Sequence, residues 1–277
     1  MSSGALSTRY RTAFVTGAST GLGLAFSEML LREGVAVWGT ARDPGRLRAR
    51  AGFHPVRLDL VDGDRAEAAF REAEREAGGF DLVINNAGYG VFGAYAQTEF
   101  VVWEKQFQVM LVNTARVAHA ALGSLLIRKR GALVNISSIA GEFGMPYQSV
   151  YNAVKAGLSA LNESLMYEVK GTGVMVIDFR PGDYRTDFEG SVQRPDQLGL
   201  DVPAIDRMTR VWSAFEAMMR SGPPPAHAAE ALRRALLRGR SGTVRTGRFF
   251  QAVLAPLLAR FGSLALKRKI QEYYFGL

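Results

Sequence analysis

Two groups of residues in this chain have types and spacing suited to chemistry. The first is a phenol and an amine. Tyr151 and Lys155 stand four apart in a stretch with helical patterning, which sets both side chains on one helix face. A free phenol has a pKa of about 10, too high for ready proton exchange at neutral pH, and a nearby ammonium favours the phenolate and lowers that value. A phenol tuned in this way can give a proton to a carbonyl oxygen or take one from an alcohol. The second group is the run Thr16-Gly17-Ala18-Ser19-Thr20-Gly21-Leu22-Gly23, between a predicted strand and a predicted helix. Its glycines let the backbone turn tightly and approach a pyrophosphate, and the helix start adds free N–H donors and a positive dipole end. Either group alone is weak, since many surface helices carry Tyr-x-x-x-Lys and many loops carry glycines. The strand–turn–helix setting, first in the chain, is what makes the second a dinucleotide site.

The elements that must position these groups are legible as alternating apolar runs and amphipathic stretches. Strands are predicted at 12–16, 35–39, 55–58, 82–85, 132–137 and 174–179, and helices at 22–32, 64–76, 99–128 and 150–169. This alternation predicts an α/β fold, a doubly wound parallel β-sheet with helices on both faces. The segment from 188 to 225 breaks the pattern with scattered Pro, Gly and Asp, and reads as a lid with a short helical patch at 208–219. Helix resumes at 228–237, one more strand is possible at 243–246, and the tail from 248 to 277 is helical with a break near Pro256. The whole chain reads as a single domain.

Composition narrows the function. Of 277 residues nearly half are apolar and none is cysteine, so disulfides, thiolate metal sites and cysteine nucleophiles are excluded. His54, His119 and His227 are scattered without metal-ligand spacing and are read as structural or surface residues. The start is short and polar, giving the expectation of a cytoplasmic protein. The net charge is +8, and from 220 to 277 there are eleven Lys or Arg against two Glu, so the rest of the chain is close to neutral. That basic segment is also rich in Leu and Phe. It suits an anionic lipid surface or an acidic partner at least as well as nucleic acid, and a solvated face is the blander alternative.

The glycine spacing Thr-Gly-x-x-x-Gly-x-Gly and Tyr151-x-x-x-Lys155, with Ser138 thirteen residues upstream, resemble the short-chain dehydrogenase/reductase family in its single-domain branch. The resemblance spans most of 10–186. It implies a Rossmann fold and hydride exchange between a nicotinamide cofactor and a carbonyl or alcohol, without a metal. Ser138 is then the group that hydrogen-bonds the substrate oxygen, Tyr151 the proton donor, and Asn113 the residue holding a water against Lys155. Gly17, Ser19, Thr20, Gly21, Leu22 and Gly23 would carry the pyrophosphate. Asp59 and Leu60 match the adenine contact, and Asn86, Ala87 and Gly88 match the Asn-Asn-Ala-Gly motif that lines the cofactor. Pro181, Gly182, Tyr184 and Thr186 resemble the Pro-Gly-x-x-x-Thr segment that holds the nicotinamide, with Tyr184 in place of the usual aliphatic residue.

Ala41 stands where NAD-type members carry an acid, and Arg42 follows, so the resemblance implies NADP(H), whose 2′-phosphate a guanidinium can clamp. Asp43 is the competing ribose ligand if the register slips by one; otherwise Asp43-Pro44 is a turn. Substrate contacts are expected from 138–147, including Glu142, Phe143 and Met145, and from the lid residues Met208, Val211, Trp212, Phe215 and Met218. Those side chains suggest an apolar, lipid-, steroid- or aromatic-like ketone. A homodimer or homotetramer is implied by resemblance. The alternatives are a non-enzymatic NADP-binding sensor or scaffold, and a protein of the membrane surface acting through its basic C-terminus.

Overall fold

Seven short strands, all parallel, lie side by side in the order β3-β2-β1-β4-β5-β6-β7. They are β1 (Thr12–Val15), β2 (Ala36–Ala41), β3 (Phe53–Arg57), β4 (Leu82–Asn85), β5 (Gly131–Ile136), β6 (Val174–Pro181) and β7 (Gly242–Thr246). The computed structural model describes residues 6–47, 50–195 and 199–277. The reversal of strand order between β1 and β4 opens a crevice at the carboxyl ends of the strands, where a doubly wound sheet takes its ligand.

Helices cover both faces. On one side α1 (Gly21–Arg32) packs against α7 (Pro225–Arg238), with Phe26, Leu30, Leu232 and Leu236 buried over the inner strands. On the other side lie α2 (Gly63–Ala77), α4 (Asn113–Arg128) and α5 (Ser149–Glu168), closing over Phe14, Phe70, Val117, Leu133 and Val154. Local chemistry sets these helix ends. Asp62 accepts from the N–H of Arg65 at the start of α2, and Gly78 ends it with φ +68°, a left-handed geometry in which glycine is least strained.

Several predicted elements came out differently. β2 runs two residues further than its hydrophobic run, because Thr40 and Ala41 pair with Val56 and Arg57, so Arg42 follows the strand directly. β3 begins earlier, at Phe53, and accommodates Pro55 because it is an edge strand with one side unpaired. The long helix expected over 99–128 is α3 (Phe100–Phe107), one π turn (Gln108–Val112) and α4. The lid helix is longer than the predicted patch: α6 spans Val202–Arg220, started by Asp201, which accepts from the N–H of Ala204. Residues 196–198 of the lid lie outside the described residues.

The tail is helical, but its break is not at Pro256. A π turn (Phe250–Leu254) runs into α8 (Ala255–Phe261) with Pro256 buried in the first turn of α8. The π turn directly before it adjusts the helix where Pro256 lacks an N–H, so the chain stays helical through the proline. The chain turns instead at Gly262, before Ser263 caps α9 (Leu264–Phe275) by accepting from the N–H of Leu266.

Candidate active site

The glycine run folds as a turn riveted to two neighbouring strands. Thr16 Oγ1 accepts the N–H groups of Asn86 (2.8 Å) and Ala87 (3.0 Å), while Asn86 Nδ2 donates to the carbonyls of Thr16 (3.0 Å) and Gly17 (3.2 Å). Gly17 N–H donates to Thr40 Oγ1 at the end of β2. A Cβ on Gly23 would lie 2.1 Å from the Gly17 carbonyl oxygen, so no other residue fits beneath the turn. Thr20, which caps α1, makes no side-chain cap bond, leaving the first N–H groups of that helix for an anion. The turn therefore fits the pyrophosphate of a dinucleotide.

A cleft of about 1270 Å³ starts here and runs along the carboxyl ends of the strands. Among the residues singled out from the sequence, Gly17, Ser19, Thr20, Gly21, Leu22, Arg42, Asp59, Leu60, Asn86, Ala87 and Gly88 line one part of it. Ser138, Tyr151, Lys155, Pro181, Gly182, Tyr184 and Thr186 line the other. Gly23 supports the turn from below. At the first end Arg42, Asp43 and Arg46 all line the cleft, and Asp43 Oδ1 accepts from the N–H of Gly45, capping the short turn at Pro44. At the other end a Cβ on Gly21 would touch Thr186 at 3.5 Å, so the Pro-Gly segment after β6 closes against the glycine turn after β1.

Three of the four proposed catalytic residues meet. Tyr151 and Lys155 rise from the first turns of α5, with Lys155 Nζ 5.6 Å from the Tyr151 ring centroid. Ser138 caps the turn after β5, accepting from the N–H of Ala140 (3.1 Å), its hydroxyl donates to the Pro181 carbonyl (3.3 Å), and it lies close enough to the Tyr151 phenol to favour its ionised form. Lys155 Nζ donates to the Ile136 carbonyl at 2.8 Å. Ser137 faces the opposite way, donating to the Asp178 carboxylate, so the role falls to Ser138 by geometry as well as by spacing.

The electrostatics differ from the sequence expectation. Burial pushes the Tyr151 phenol up to about 12, opposed by the nearby Ser138 hydroxyl, which favours the phenolate, while the charge of Asp183 pushes it further up. Burial also pulls Lys155 down to about 8, opposed by the Asp178 carboxylate. Burial of the phenol, and not the nearby amine, therefore sets the direction of its shift. The phenol is held protonated, the state of a proton donor.

Two expectations are corrected by placement. Asn113 does not join the cluster: its amide donates to the Leu60 carbonyl at 2.6 Å and accepts from Gln108 Nε2 at 3.0 Å, and it lies off the cleft. The π turn before it rotates Val109 and Met110 to the cleft instead, and Met110 comes against Gly88. Glu142 is not a substrate contact either. Its carboxylate is engaged by Arg180 (2.8 Å) and Arg245 (2.7 Å), whereas Phe143 and Met145 do line the cleft. Tyr184, in place of the usual aliphatic residue, lines the cleft with its ring buried and its hydroxyl against Thr246 (2.7 Å) and His227 Nδ1 (2.9 Å). His54 stacks on Trp38 with ring centroids 4.0 Å apart, and His119 is exposed.

Sequence reasoning missed Gln251. From the π turn of the tail, its amide accepts from the Asp183 N–H (3.2 Å) and donates to the Asp183 carboxylate, latching the tail onto the Pro-Gly segment. A lone Gln in an apolar run gave no signal of that contact. In the lid, Val211, Trp212, Phe215 and Met219 form a cluster with Phe92 and Phe275, and of these Phe215, Met219 and Phe275 reach the cleft along with Met218. Met208 packs against that cluster, which is the lid-packing role rather than a substrate contact.

Residues 11–197 match the family model described as short chain dehydrogenase. An uncharacterised oxidoreductase of Myxococcus xanthus is 37% identical over 197 residues, covering 67% of this chain and 77% of the relative. A 3-ketodihydrosphingosine reductase of Bacteroides thetaiotaomicron is 30% identical over 214 residues, covering 76% and 78%. The crystal structure of a short-chain dehydrogenase from Streptomyces avermitilis superposes with a TM-score of 0.81 at 27% identity, covering 99% of this chain and 97% of that one.

Proposed function

Because the chain belongs to the short-chain dehydrogenase family and is an oxidoreductase of that family, we propose that it is an NADPH-dependent carbonyl reductase acting on an apolar ketone. The observation that carries this reading is the convergence of the Ser138 and Tyr151 hydroxyls beside Lys155 in the same cleft as the glycine turn. Reduced nicotinamide, when bound, supplies the hydride. The chain's own residues do the rest. The Ser138 hydroxyl turns from the Pro181 carbonyl, 3.3 Å away, to donate to the substrate oxygen and stabilise the charge that develops there. The Tyr151 hydroxyl delivers its proton to that oxygen, completing the alcohol, and Lys155 steadies the phenolate left behind.

NADPH rather than NADH is supported by Arg42 and Arg46 on the cleft wall and by the engagement of Asp43 with Gly45. The ketone's apolar character is supported by Phe188, Phe215, Met219, Phe250, Leu258 and Phe275 on the cleft beyond Tyr151. It agrees with the name of the relative from Bacteroides thetaiotaomicron, a 3-ketodihydrosphingosine reductase.

The test is oxidation of NADPH and NADH over ketones graded in size and polarity. Tyr151→Phe should lower kcat by about 10²–10⁴-fold while NADPH binding, read by fluorescence titration, persists. A protein that binds NADPH but turns over no ketone before the substitution is a sensor, and the reductase reading fails. Arg42→Ala with Arg46→Ala should cost about 10–100-fold in kcat/KM with NADPH and leave NADH nearly untouched.

A further inference from the structure

The tail helix has an apolar surface on two sides. Toward the protein, the run from the π turn through α8 presents Gln251, Ala255, Leu258 and Ala259 to the cleft. Away from it, Phe249, Val253, Leu257 and Phe261 repeat every four residues and are 70%, 40%, 49% and 75% exposed. That spacing makes one stripe on the outer side of the helix. Leu254 lies beside the stripe, and Leu264 and Leu266 carry exposed apolar surface past the turn at Gly262. A helix apolar all round is stable when both sides are covered, and the fold covers only the inner one.

Charge identifies the cover. Between 248 and 277 the chain carries Arg248, Arg260, Lys267, Arg268 and Lys269 against the single acid Glu272. Arg268 and Lys269 are exposed on α9, and Arg260 lies over the ring of Phe261, 5.6 Å from its centroid. A second copy meeting this face would set cation against cation. A bilayer with anionic headgroups meets the cations with phosphates and the stripe with acyl chains.

We propose that residues 249–269 are an interfacial anchor, by which this protein docks on an anionic lipid bilayer with the outer stripe of the π turn and α8 in the acyl boundary. The same helix walls the cleft, so docking sets the cleft against the lipid surface. An apolar ketone dissolved in the bilayer then reaches Ser138 and Tyr151 without crossing water. The docking stands independently of the reductase reading; the delivery of a ketone rests on it.

The experiment is co-sedimentation of the full-length protein with vesicles of phosphatidylcholine alone and with roughly one-third phosphatidylglycerol. The wild type should bind the anionic vesicles and bind them less as salt rises. The triple variant Phe249→Ser, Leu257→Ser, Phe261→Ser, whose positions are all exposed, should lose about tenfold or more in partitioning, with an unchanged circular dichroism spectrum. Arg268→Gln with Lys269→Gln should lose a similar amount on anionic vesicles only. Failure of the wild type to bind anionic vesicles at low salt would overturn the proposal, as would undiminished binding by the triple variant. A wild-type dimer that the triple variant converts to monomer, with no vesicle binding, would assign the stripe to a second copy instead. Tyr151→Phe should bind vesicles like the wild type, which separates this proposal from the catalytic one.

Discussion

Tyr151 and Lys155 show how burial sets the working state of a proton-transfer pair. With the phenol pushed up to about 12 and the amine down to about 8, the tyrosine keeps its proton through the neutral range. The reduction direction needs that proton, whereas alcohol oxidation needs the phenolate. Oxidation of a product alcohol should therefore quicken as pH rises from 7 toward 10, with no matching rise in the reduction kcat, as read from pH–rate profiles in both directions. Burial of Lys155 also has a stability signature. An amine whose folded pKa lies below its unfolded value destabilises the fold fully below about 8, and the loss is recovered as pH rises toward the unfolded value. Lys155→Met should therefore abolish turnover yet raise Tm at pH 7, with a gross gain of about 3 kcal/mol reduced by the lost bond to Ile136. The gain should shrink between pH 8 and 10; a Tm that falls at neutral pH would refute the burial argument. Asn113 makes the opposite test. Its amide bonds to the Leu60 carbonyl and lies off the cleft, so Asn113→Ala should cost about 1–3 kcal/mol of stability and leave kcat within a few-fold.

At the scale of elements, the site depends on contacts between segments remote in sequence. A buried chain of hydrogen bonds crosses the sheet from Asn85 to Asn135 (2.8 Å), Asn162 (2.6 Å) and Asp178 (3.1 Å), and the Asp178 carboxylate supports the charge of Lys155. The glycine turn is equally dependent. Gly23→Ala would drive a Cβ into the Gly17 carbonyl, a collision with backbone that no rotamer relieves. Fluorescence titration should show at least about tenfold weaker NADPH binding for that variant. The latch from the tail is milder. Gln251→Ala frees Asp183 and should lower kcat/KM by about three- to tenfold, with a smaller effect on the melting temperature than Gly23→Ala.

Over the whole molecule, the cleft is closed by three parts of the chain that no single element supplies: the carboxyl ends of the strands, the lid helix α6, and the tail. Phe275, near the last residue, is 3% exposed and packs with Val211, Trp212, Phe215 and Met219 of α6. Phe275→Ala should loosen lid and tail together, at about 2–4 kcal/mol locally, visible as faster hydrogen exchange in α6 and α9 while the central strands stay protected. The KM for bulky ketones should rise more than that for small ones.

What the sequence by itself determined is whatever depends on near neighbours. Strand–helix alternation specified the parallel sheet, glycine spacing specified the phosphate turn, and a four-residue interval placed Tyr151 beside Lys155. The tertiary structure alone decided what depends on distant partners. Whether Asn113 faced the lysine or Leu60 turned on a π turn that no proline or glycine announces. The direction of the phenol's shift turned on how deeply neighbouring layers bury it. Gln251 and Phe275 acquired their places because the last helices fold back over segments about sixty residues earlier in the chain. Periodicity and spacing act along the chain within a few residues, whereas burial and electrostatic fields are properties of the packed whole, and they exist only once the layers have met.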